Sequence, residues 1–288
     1  VVHTGNPENS NDTVYEAGLT GGTQAGEAET HAGGTFTLGD ADGLNNIAGI
    51  TIGTTSIAIA DLGNNNVING SNGTLTITHY DSNTGEVTYT YDLTSPVGNA
   101  VGSDAGSDSF TVTVNDADGG SNSANIVIDI VDDKPVARDD SASVTEDTHT
   151  SVTDNVITND SSGADSPASF VAWTSPLNGT WGTLTDNGLG GYTYTLHDDA
   201  SVQALNKGEH QTDTFTYTMQ DADGDIKTAT LTVMVNGSND DPTIVVHTGN
   251  PENSNDTVYE AGLTGGTQAG EAETHAGGTF TLGDADGL

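Results

Sequence analysis

Apolar and polar residues alternate one by one in two segments of the chain, and both segments are rich in threonine. The alternating apolar residues are Phe110, Val112 and Val114 in one segment and Phe215, Tyr217 and Met219 in the other. A period of two is the period of a β strand, and it predicts one buried face and one solvent-exposed face. Threonine suits the exposed face because its branched Cβ packs well on a pleated sheet.

Turn signals separate these segments from further short apolar runs. Asn-Gly pairs begin at Asn69, Asn178, Asn187 and Asn236. Such pairs favour tight hairpins. Helical periodicity is missing along nearly the whole chain. We therefore predict an all-β fold made of tandem immunoglobulin- or cadherin-like antiparallel β-sandwiches.

The chain repeats itself at two levels. Residues 1–44 recur without a change as residues 245–288. Inside that period, Gly73-Thr-Leu-Thr resembles Gly182-Thr-Leu-Thr, and Asp108-Ser-Phe-Thr resembles Asp213-Thr-Phe-Thr. The weaker repeat indicates that the period holds two related modules, and a repeat of this kind sets the fold prediction for the whole chain.

Each of the two related copies closes with an acidic, proline-bearing linker. These linkers are Val131-Asp-Asp-Lys-Pro135 and Asn239-Asp-Asp-Pro242. We therefore predict one module at residues 1–133, a second at 134–241, and the incomplete start of the next copy of the first module at 242–288. The partners of each module are then its neighbours in the same polypeptide, and we expect the chain to be monomeric.

The charge of the chain narrows the classes of function. It has 42 acidic residues, 4 basic residues and a formal net charge of −38. Nucleic-acid binding needs a basic face, which this sequence does not supply. A charge this large opposes compaction unless counter-ions are bound, and carboxylates and carbonyls are the ligands that Ca²⁺ prefers. We expect Ca²⁺ to be the cofactor.

The absence of cysteine and the shortness of the apolar stretches narrow the picture further. Cysteine is absent, so disulfides cannot support a thin core and a bound metal is the obvious substitute. Apolar stretches such as residues 56–60 are too short to cross a bilayer, and we expect no direct insertion into a membrane.

Four copies of Asp-Ala-Asp-Gly are the clearest chemical motif. They span residues 40–43, 116–119, 221–224 and 284–287. None continues into a complete EF-hand loop, because the twelfth position lacks the bidentate glutamate in the copies that reach it. Any Ca²⁺ must therefore take its ligands from several segments that the fold brings together at module ends.

The candidate ligands are three glutamates early in the modules, the Asp-x-Asp pairs and the linker aspartates. The full set is Glu16, Asp40, Asp42, Asp116, Asp118, Asp132, Asp133, Asp139, Asp140, Glu146, Asp221, Asp223, Asp225, Asp240, Asp241, Glu260, Asp284 and Asp286. Convergence of a glutamate, an Asp-x-Asp loop and a linker Asp-Asp resembles the junctions between cadherin modules. The same aspartates are also ordinary turn formers, so solvated turns are the alternative interpretation.

Residues 135–243 resemble a VCBS repeat, a module of large bacterial surface proteins. The matching stretches include Lys134-Pro-Val-Ala-Arg-Asp-Asp-Ser141, Val144-Thr-Glu-Asp-Thr148 and Thr212-Asp-Thr-Phe-Thr-Tyr-Thr218. Residues 1–134 resemble, less specifically, an immunoglobulin-like repeat of type I secreted proteins, through Val14-Tyr-Glu-Ala-Gly-Leu19.

Together the two modules resemble the extender region of RTX adhesins of Gram-negative bacteria. This resemblance implies type I secretion, an extracellular cell-surface location, and a stalk that calcium stiffens for cell adhesion or biofilm formation.

Three other interpretations have less support in the sequence. Catalysis by Asp198 and Asp199 is disfavoured because the pair lies among dozens of similar acids, and we expect no enzyme. Trp173 and Trp181 allow a carbohydrate- or protein-binding module, although a core position for at least one is the simpler interpretation. Isopeptide cross-links through Lys207 or Lys227 have no support in the sequence.

Overall fold

The computed structural model describes residues 2–3, 12–98, 105–247, 258, 260–270 and 278–287. These residues form strands joined by turns, and their helical content is limited to short 3-10 turns. The turns are Glu16–Gly18, Leu44–Asn46, Ile59–Asp61 and Glu260–Gly262. The predicted all-β fold is confirmed.

Ten strands of the described residues build the first sandwich. They are β1 (Val2–His3), β2 (Thr13–Tyr15), β3 (His31–Thr37), β4 (Ile47–Ile52), β5 (Thr55–Ala58), β6 (Asn66–Asn69), β7 (Gly73–Tyr80), β8 (Glu86–Leu93), β9 (Ala105–Asp116) and β10 (Ser121–Val131). One sheet has the order β1-β3-β8-β7-β6 and the other β2-β10-β9-β4-β5. All pairs are antiparallel except β2 with β10.

Seven strands build the second sandwich. They are β11 (Asp140–Thr145), β12 (Ser151–Asn155), β13 (Ser169–Trp173), β14 (Gly182–Gly188), β15 (Gly191–Leu196), β16 (His210–Gln220) and β17 (Ile226–Asn236). Its sheets have the orders β11-β17-β16-β13 and β12-β15-β14. The order repeats β2-β10-β9-β4 and β3-β8-β7 of the first sandwich, so the weak internal repeat of the sequence corresponds to one shared topology.

Each sandwich has its own hydrophobic core. In the first, Phe36, Tyr89 and Tyr91 are among the largest buried side chains, and in the second Phe215 and Tyr217 are. The alternation in the sequence is confirmed, because Phe110, Val112, Phe215, Tyr217 and Met219 are all buried and Val114 packs against the first core. Full burial of one such side chain contributes roughly 2–3 kcal/mol.

A buried aspartate anchors the same turn in both sandwiches. The carboxylate of Asp108 accepts the backbone N–H groups of residues 71–73 and the hydroxyl of Tyr91, which lies 2.7 Å from Oδ2. The second sandwich repeats the arrangement with Asp213, Tyr194 and the N–H groups of residues 180–182. The repeated Gly-Thr-Leu-Thr motif therefore begins, in both sandwiches, at the turn that the buried aspartate holds.

The glycine of that motif leaves room for the tyrosine that reaches the aspartate. A Cβ on Gly73 would lie 2.4 Å from Tyr91 Cζ, and a Cβ on Gly182 would lie 2.4 Å from Tyr194 Cζ. A real Cβ atom essentially never lies that close to another heavy atom, and each added Cβ would also lie 2.4–2.5 Å from a backbone oxygen, so both positions require glycine.

Beyond the second sandwich, β18 (Thr243–His247) pairs with β19 (Thr279–Gly283). The register Val246↔Phe280 reproduces Val2↔Phe36 of the first sandwich. The exact sequence repeat therefore has the same strand pairing at its start.

Candidate metal centre at the junction of the two sandwiches

The parallel pair β2–β10 brings Glu16 next to the linker. Tyr15 is paired with Val131, so the following residues, Glu16 and Asp132, leave the sheet side by side. Glu16 is fully buried, and the N–H of Val97 donates to its Oε1 at 2.6 Å. The glutamate therefore lies at the end of β2, where the first sandwich meets the second.

Asp133, the next linker residue, ties the two sandwiches together. Its Oδ2 accepts the N–H of Thr23 from the first sandwich at 2.8 Å and the N–H of Ala164 from the second at 2.9 Å. The hydroxyl of Thr23 also contacts Oδ1. Asp133 is only 3% exposed, so these bonds form in a largely dry environment, where they are stronger than in water.

The second sandwich contributes one Asp-Ala-Asp-Gly motif, which forms the turn between β16 and β17. Oδ1 of Asp221 accepts the N–H groups of Gly224 and Asp225 at 2.9 and 2.8 Å. Gly224 has a φ of 101°, a conformation that side chains disfavour. The turn thereby places Asp223 and Asp225 near Asp132 of the linker, where their charges act on its carboxylate, and Asp221 beside Asp223.

The loop between β12 and β13 brings a further carboxylate, that of Asp165. The N–H of Ala222 donates to the carbonyl oxygen of Asp165 at 2.9 Å, which fixes the loop against the Asp-Ala-Asp-Gly turn. Asp165 was not among the residues predicted from the sequence. It stands alone, without an Asp-x-Asp or Asp-Asp pattern, and only the tertiary structure reveals its position.

These segments converge on one point. One carboxylate oxygen each from Glu16, Asp132 and Asp165 lie within 4.8 Å of one another, and all three oxygens are buried. We use the name first junction for the following set of acidic residues: Glu16, Asp132, Asp133, Asp165, Asp221, Asp223 and Asp225.

Many oxygens of the first junction have no hydrogen-bond donor among the described residues. They are Glu16 Oε2, both Oδ atoms of Asp132, Asp165 Oδ2, Asp221 Oδ2 and Asp225 Oδ2. A buried carboxylate without a partner costs several kcal/mol unless it is neutralised. Lys134 is the cation that comes near, with Nζ 3.8 Å from Asp225 Oδ2.

The same crowding raises the pKa of these acids. Burial, opposed by the Val97 N–H and reinforced by the charge of Asp165, raises the pKa of Glu16 to about 8. Burial and the charge of Asp223 raise the pKa of Asp132 and of Asp165 to about 6. Burial raises the pKa of Asp221 to about 7. The protein without a cation therefore disfavours the ionised form of its own carboxylates here.

The donor set fits a hard divalent cation. All the convergent ligand atoms are carboxylate oxygens from several segments, and six of them lack a donor. Ca²⁺ accepts six to eight oxygens in flexible geometry, whereas Zn²⁺ sites are usually built from imidazole and thiolate ligands. The residues present fit Ca²⁺.

A second cluster of the same kind lies at the other end of the second sandwich. Glu146 follows β11 and is 1% exposed, and its Oε1 accepts the N–H of Ser238 at 2.6 Å. The N–H of Asp240 donates to Asp286 Oδ2 at 3.0 Å. Glu146 Oε2, Asp240 Oδ2 and Asp286 Oδ1 lack donors among the described residues. We call the set Glu146, Asp240, Asp284 and Asp286 the second junction.

Burial and neighbouring negative charges also raise a pKa at the second junction. Burial raises the pKa of Glu146, the Ser238 N–H opposes that shift, and the charges of Asp147, Asp240 and Asp286 reinforce it. Within the part of the chain that the structure describes, a glutamate after the first strand of a sheet, a linker aspartate and an Asp-Ala-Asp-Gly turn therefore come together twice.

Other predicted ligands lie elsewhere. Asp40, Asp42, Asp116 and Asp118 are at the opposite end of the first sandwich from Glu16, where Asn46 Nδ2 donates to Asp118 Oδ2 at 3.1 Å. Asp241 and Glu260 are exposed and have no neighbours in either cluster among the described contacts.

Asp139 and Asp140, which are also candidate ligands by sequence, are not at the first junction. Asp140 pairs with Leu231 on β17, more than ~15 Å along that strand from Asp225. Its Oδ2 lies 3.0 Å from the hydroxyl of Tyr217, and Asp139 accepts the N–H of Thr230 at 2.9 Å. The parallel pairing of β11 with the second half of β17 draws both aspartates into the body of the second sandwich.

The two tryptophans pack against the core of the second sandwich. Trp173 also contacts Phe170, Tyr192 and Tyr217, with ring centroids 5.7–6.1 Å apart. Core packing, the simpler interpretation of the sequence, describes both residues. Within the described residues, no helix reaches the length and apolarity that a bilayer crossing requires.

Comparison with solved structures returns modest likenesses to cadherin ectodomains. They include protocadherin gamma B7 extracellular cadherin domains 1–4 (13% identity, TM-score 0.32, 84% of this chain and 56% of that chain) and the human desmocollin-1 ectodomain (13%, 0.30, 83% and 42%). Domains EC1–3 of mouse clustered PcdhgC3 share 15% identity with this chain at a TM-score of 0.27, and the match covers 78% of this chain and 64% of that chain. This chain therefore spans 42–64% of those three structures.

No curated protein matches the sequence. A family model does: residues 132–237, which are the first linker and the second sandwich, match the bacterial cadherin-like domain. The second sandwich, with the acids of the first linker, is therefore similar to that family in sequence.

Proposed function

We propose that the chain is a spacer segment of a large bacterial surface adhesin and that Ca²⁺ stiffens it at its junctions. The observation that carries this proposal is the meeting of Glu16 from the first sandwich, Asp132 from the linker and Asp165 from the second sandwich within 4.8 Å. A cation held by all three joins two sandwiches that otherwise repel each other.

Charge balance explains why the junction needs a cation. The seven carboxylates of the first junction have Lys134 as their neighbouring cation, and several are buried without a donor. Without a divalent ion, ionisation of these groups pushes the sandwiches apart at neutral pH. With one bound, the same charges hold the sandwiches in one orientation, and the hinge becomes rigid.

The repeat supplies the length of the spacer. Residues 1–133 and 134–241 are proposed as the two modules of one period, and 242–288 as the start of the next copy. The Asp-Ala-Asp-Gly turn at 284–287 lies against Glu146 and Asp240 at the second junction. By the same arrangement, the identical turn at 40–43, with Asp116 and Asp118, serves the junction that precedes a first module in the array.

The biological setting follows from the resemblance to RTX adhesin extenders and VCBS repeats. In this proposal the chain is extracellular, reaches the cell surface by type I secretion, and holds a distal ligand-binding region away from the cell for adhesion or biofilm formation. The spacer itself needs no ligand other than Ca²⁺.

Isothermal titration with Ca²⁺ tests the metal part of the proposal. The wild-type chain is compared with Glu16→Gln and Asp165→Asn, and with Asp198→Asn as the matched control, because Asp198 is exposed and lies in neither junction. We expect both junction variants to weaken or abolish binding at one class of sites, by about tenfold or more, and the control to bind like the wild type. Equal binding by all four proteins would contradict the proposal.

A further inference from the structure

Lys134 has a position that the proposed role of the first junction does not explain. It follows the ligand candidates Asp132 and Asp133 in the linker and is one of 4 basic residues in the chain. Its Nζ lies 3.8 Å from Asp225 Oδ2, with a side chain that is 43% exposed against 11% for Asp225. Because Pro135 follows, the backbone of Lys134 is restricted to extended conformations, which limits where the side chain reaches.

The 3.8 Å distance makes Lys134 a neighbouring charge rather than a ligand substitute. A hydrogen bond between an ammonium and a carboxylate is about 2.7–2.9 Å long, and Asp225 Oδ2 has no donor at that range. The carboxylate therefore keeps its lone pairs for a metal, while the ammonium lowers the negative potential of the whole cluster.

The lysine is present in one linker and absent from the other. The first linker reads Asp132-Asp133-Lys134-Pro135, and the second reads Asp240-Asp241-Pro242 with no lysine between the acids and the proline. Both linkers serve carboxylate clusters with buried oxygens that lack donors. The lysine is therefore an addition to one junction and not a general requirement of such a linker.

We propose that Lys134 is a tethered counter-ion that tunes the calcium response of the first junction. This inference rests on the proposed function. In the metal-free state the ammonium offsets part of the repulsion among the seven carboxylates. In the metal-bound state it repels the cation, so the first junction binds Ca²⁺ more weakly than its carboxylates alone allow.

These two effects have opposite signs, and that distinguishes a counter-ion from a structural residue. Loss of a merely structural lysine lowers stability with and without Ca²⁺ and does not tighten binding. Loss of a counter-ion lowers the melting temperature in chelator but increases the affinity for Ca²⁺. A unit charge about 6 Å from a divalent ion changes the affinity by about tenfold even at the dielectric constant of bulk water, and by more at the lower effective dielectric constant near a protein surface.

The test uses the full chain with the second junction disabled by Glu146→Gln, so that the titration reports on the first junction. In that background we compare Lys134→Gln, Lys134→Arg and the control Lys207→Gln by calcium titration calorimetry, and by melting in chelator. We expect Lys134→Gln to bind Ca²⁺ more tightly, by about tenfold or more, and to melt at a lower temperature without it. Lys134→Arg, which keeps the charge, and Lys207→Gln are expected to behave like the parent.

Two results overturn the inference in distinguishable ways. If the Glu146→Gln parent binds Ca²⁺ and Lys134→Gln has the same or a weaker affinity, the counter-ion role is wrong and the proposed function stands. If the parent shows no Ca²⁺ binding, the proposed function of the first junction fails and this inference fails with it.

Discussion

Glu16 and Asp165 belong to different sandwiches, and yet one carboxylate oxygen of each lies within 4.8 Å of the other. Glu16 is placed by the pairing of β2 with the end of β10, and Asp165 by the backbone bond from Ala222. Neither the Glu16 carboxylate nor the Asp165 carboxylate forms an ion pair with a basic side chain among the described contacts. The junction is therefore a place where the fold has brought like charges together and buried them.

Neutralising one of these charges by mutation is expected to stabilise the metal-free protein. In Glu16→Gln the amide N–H₂ faces the acceptors of Asp132 and Asp165, and the buried charge is gone. We expect the melting temperature in chelator at pH 7.5 to rise by roughly 2–5 °C, and the further rise on adding Ca²⁺ to shrink by more than half. Differential scanning calorimetry measures both.

The control for that experiment is Asp198→Asn, which removes an exposed charge outside the junctions. A lower melting temperature for Glu16→Gln in chelator, together with an unchanged response to Ca²⁺, would mean that Glu16 has a packing role only.

The stability of the metal-free protein is expected to fall as the pH rises from about 5 to about 8. The pKa of Glu16 in the folded chain, about 8, lies above its ordinary value of 4.5, and Asp132, Asp165 and Asp221 are shifted the same way. The folded chain therefore binds more protons than the unfolded chain in this interval, so deprotonation destabilises it, by roughly 1–3 kcal/mol.

Ca²⁺ is expected to reverse that trend, because only ionised carboxylates bind it and binding releases protons. Denaturant titrations at pH 5, 6.5 and 8, with chelator and with Ca²⁺, measure the effect. Parallel pH profiles in the two conditions would show that the shifted acids are not the metal ligands.

Replacing the buried aspartate that anchors the turn, Asp108 or Asp213, is expected to destabilise only the sandwich to which it belongs. Asp213→Ala leaves the N–H groups of residues 180–182 and the hydroxyl of Tyr194 without their acceptor. We expect a loss of about 3 kcal/mol in the second sandwich, seen as a lower transition in calorimetry, while the transition of the first sandwich stays. Asp108→Ala should do the reverse, and a single shared shift for both variants would mean that the two cores unfold as one unit.

The two junctions are expected to act independently. They lie at opposite ends of the second sandwich, about 35 Å apart along the 11 residues of β17. Glu16→Gln and Glu146→Gln should each remove a separate class of Ca²⁺ sites in calorimetric titration, and the double variant should lose the sum of both. A double variant that loses no more than either single variant would place all the binding at one junction.

The fold was predictable from the sequence because its signal is local. The period-two pattern at Phe215 and Tyr217, and the repeated Gly-Thr-Leu-Thr, each follow from neighbouring residues in one strand or turn. The acidic character of the junctions was predictable for a similar reason, since Asp-Ala-Asp-Gly and Asp-Asp are short patterns that are visible in the sequence.

The composition of each junction was only partly predictable, because it depends on which segments the sheets bring together. Asp139 and Asp140 looked like linker acids, but β11 pairs in parallel with the second half of β17 and carries them to Tyr217. Asp165 has no motif around it and joins the cluster through a loop contact with Ala222. Both outcomes are decided by strand register and loop packing, which no short pattern encodes.

Small-angle X-ray scattering of the full chain, with Ca²⁺ and after chelation, tests the central claim most directly. With Ca²⁺ we expect a long maximum dimension and the profile of a rigid rod. In chelator we expect a shorter average dimension and the signature of a flexible chain, with Glu16→Gln/Asp165→Asn losing most of the difference and Asp198→Asn keeping it. An unchanged maximum dimension and unchanged flexibility of the wild-type chain in chelator would contradict the calcium-stiffened spacer.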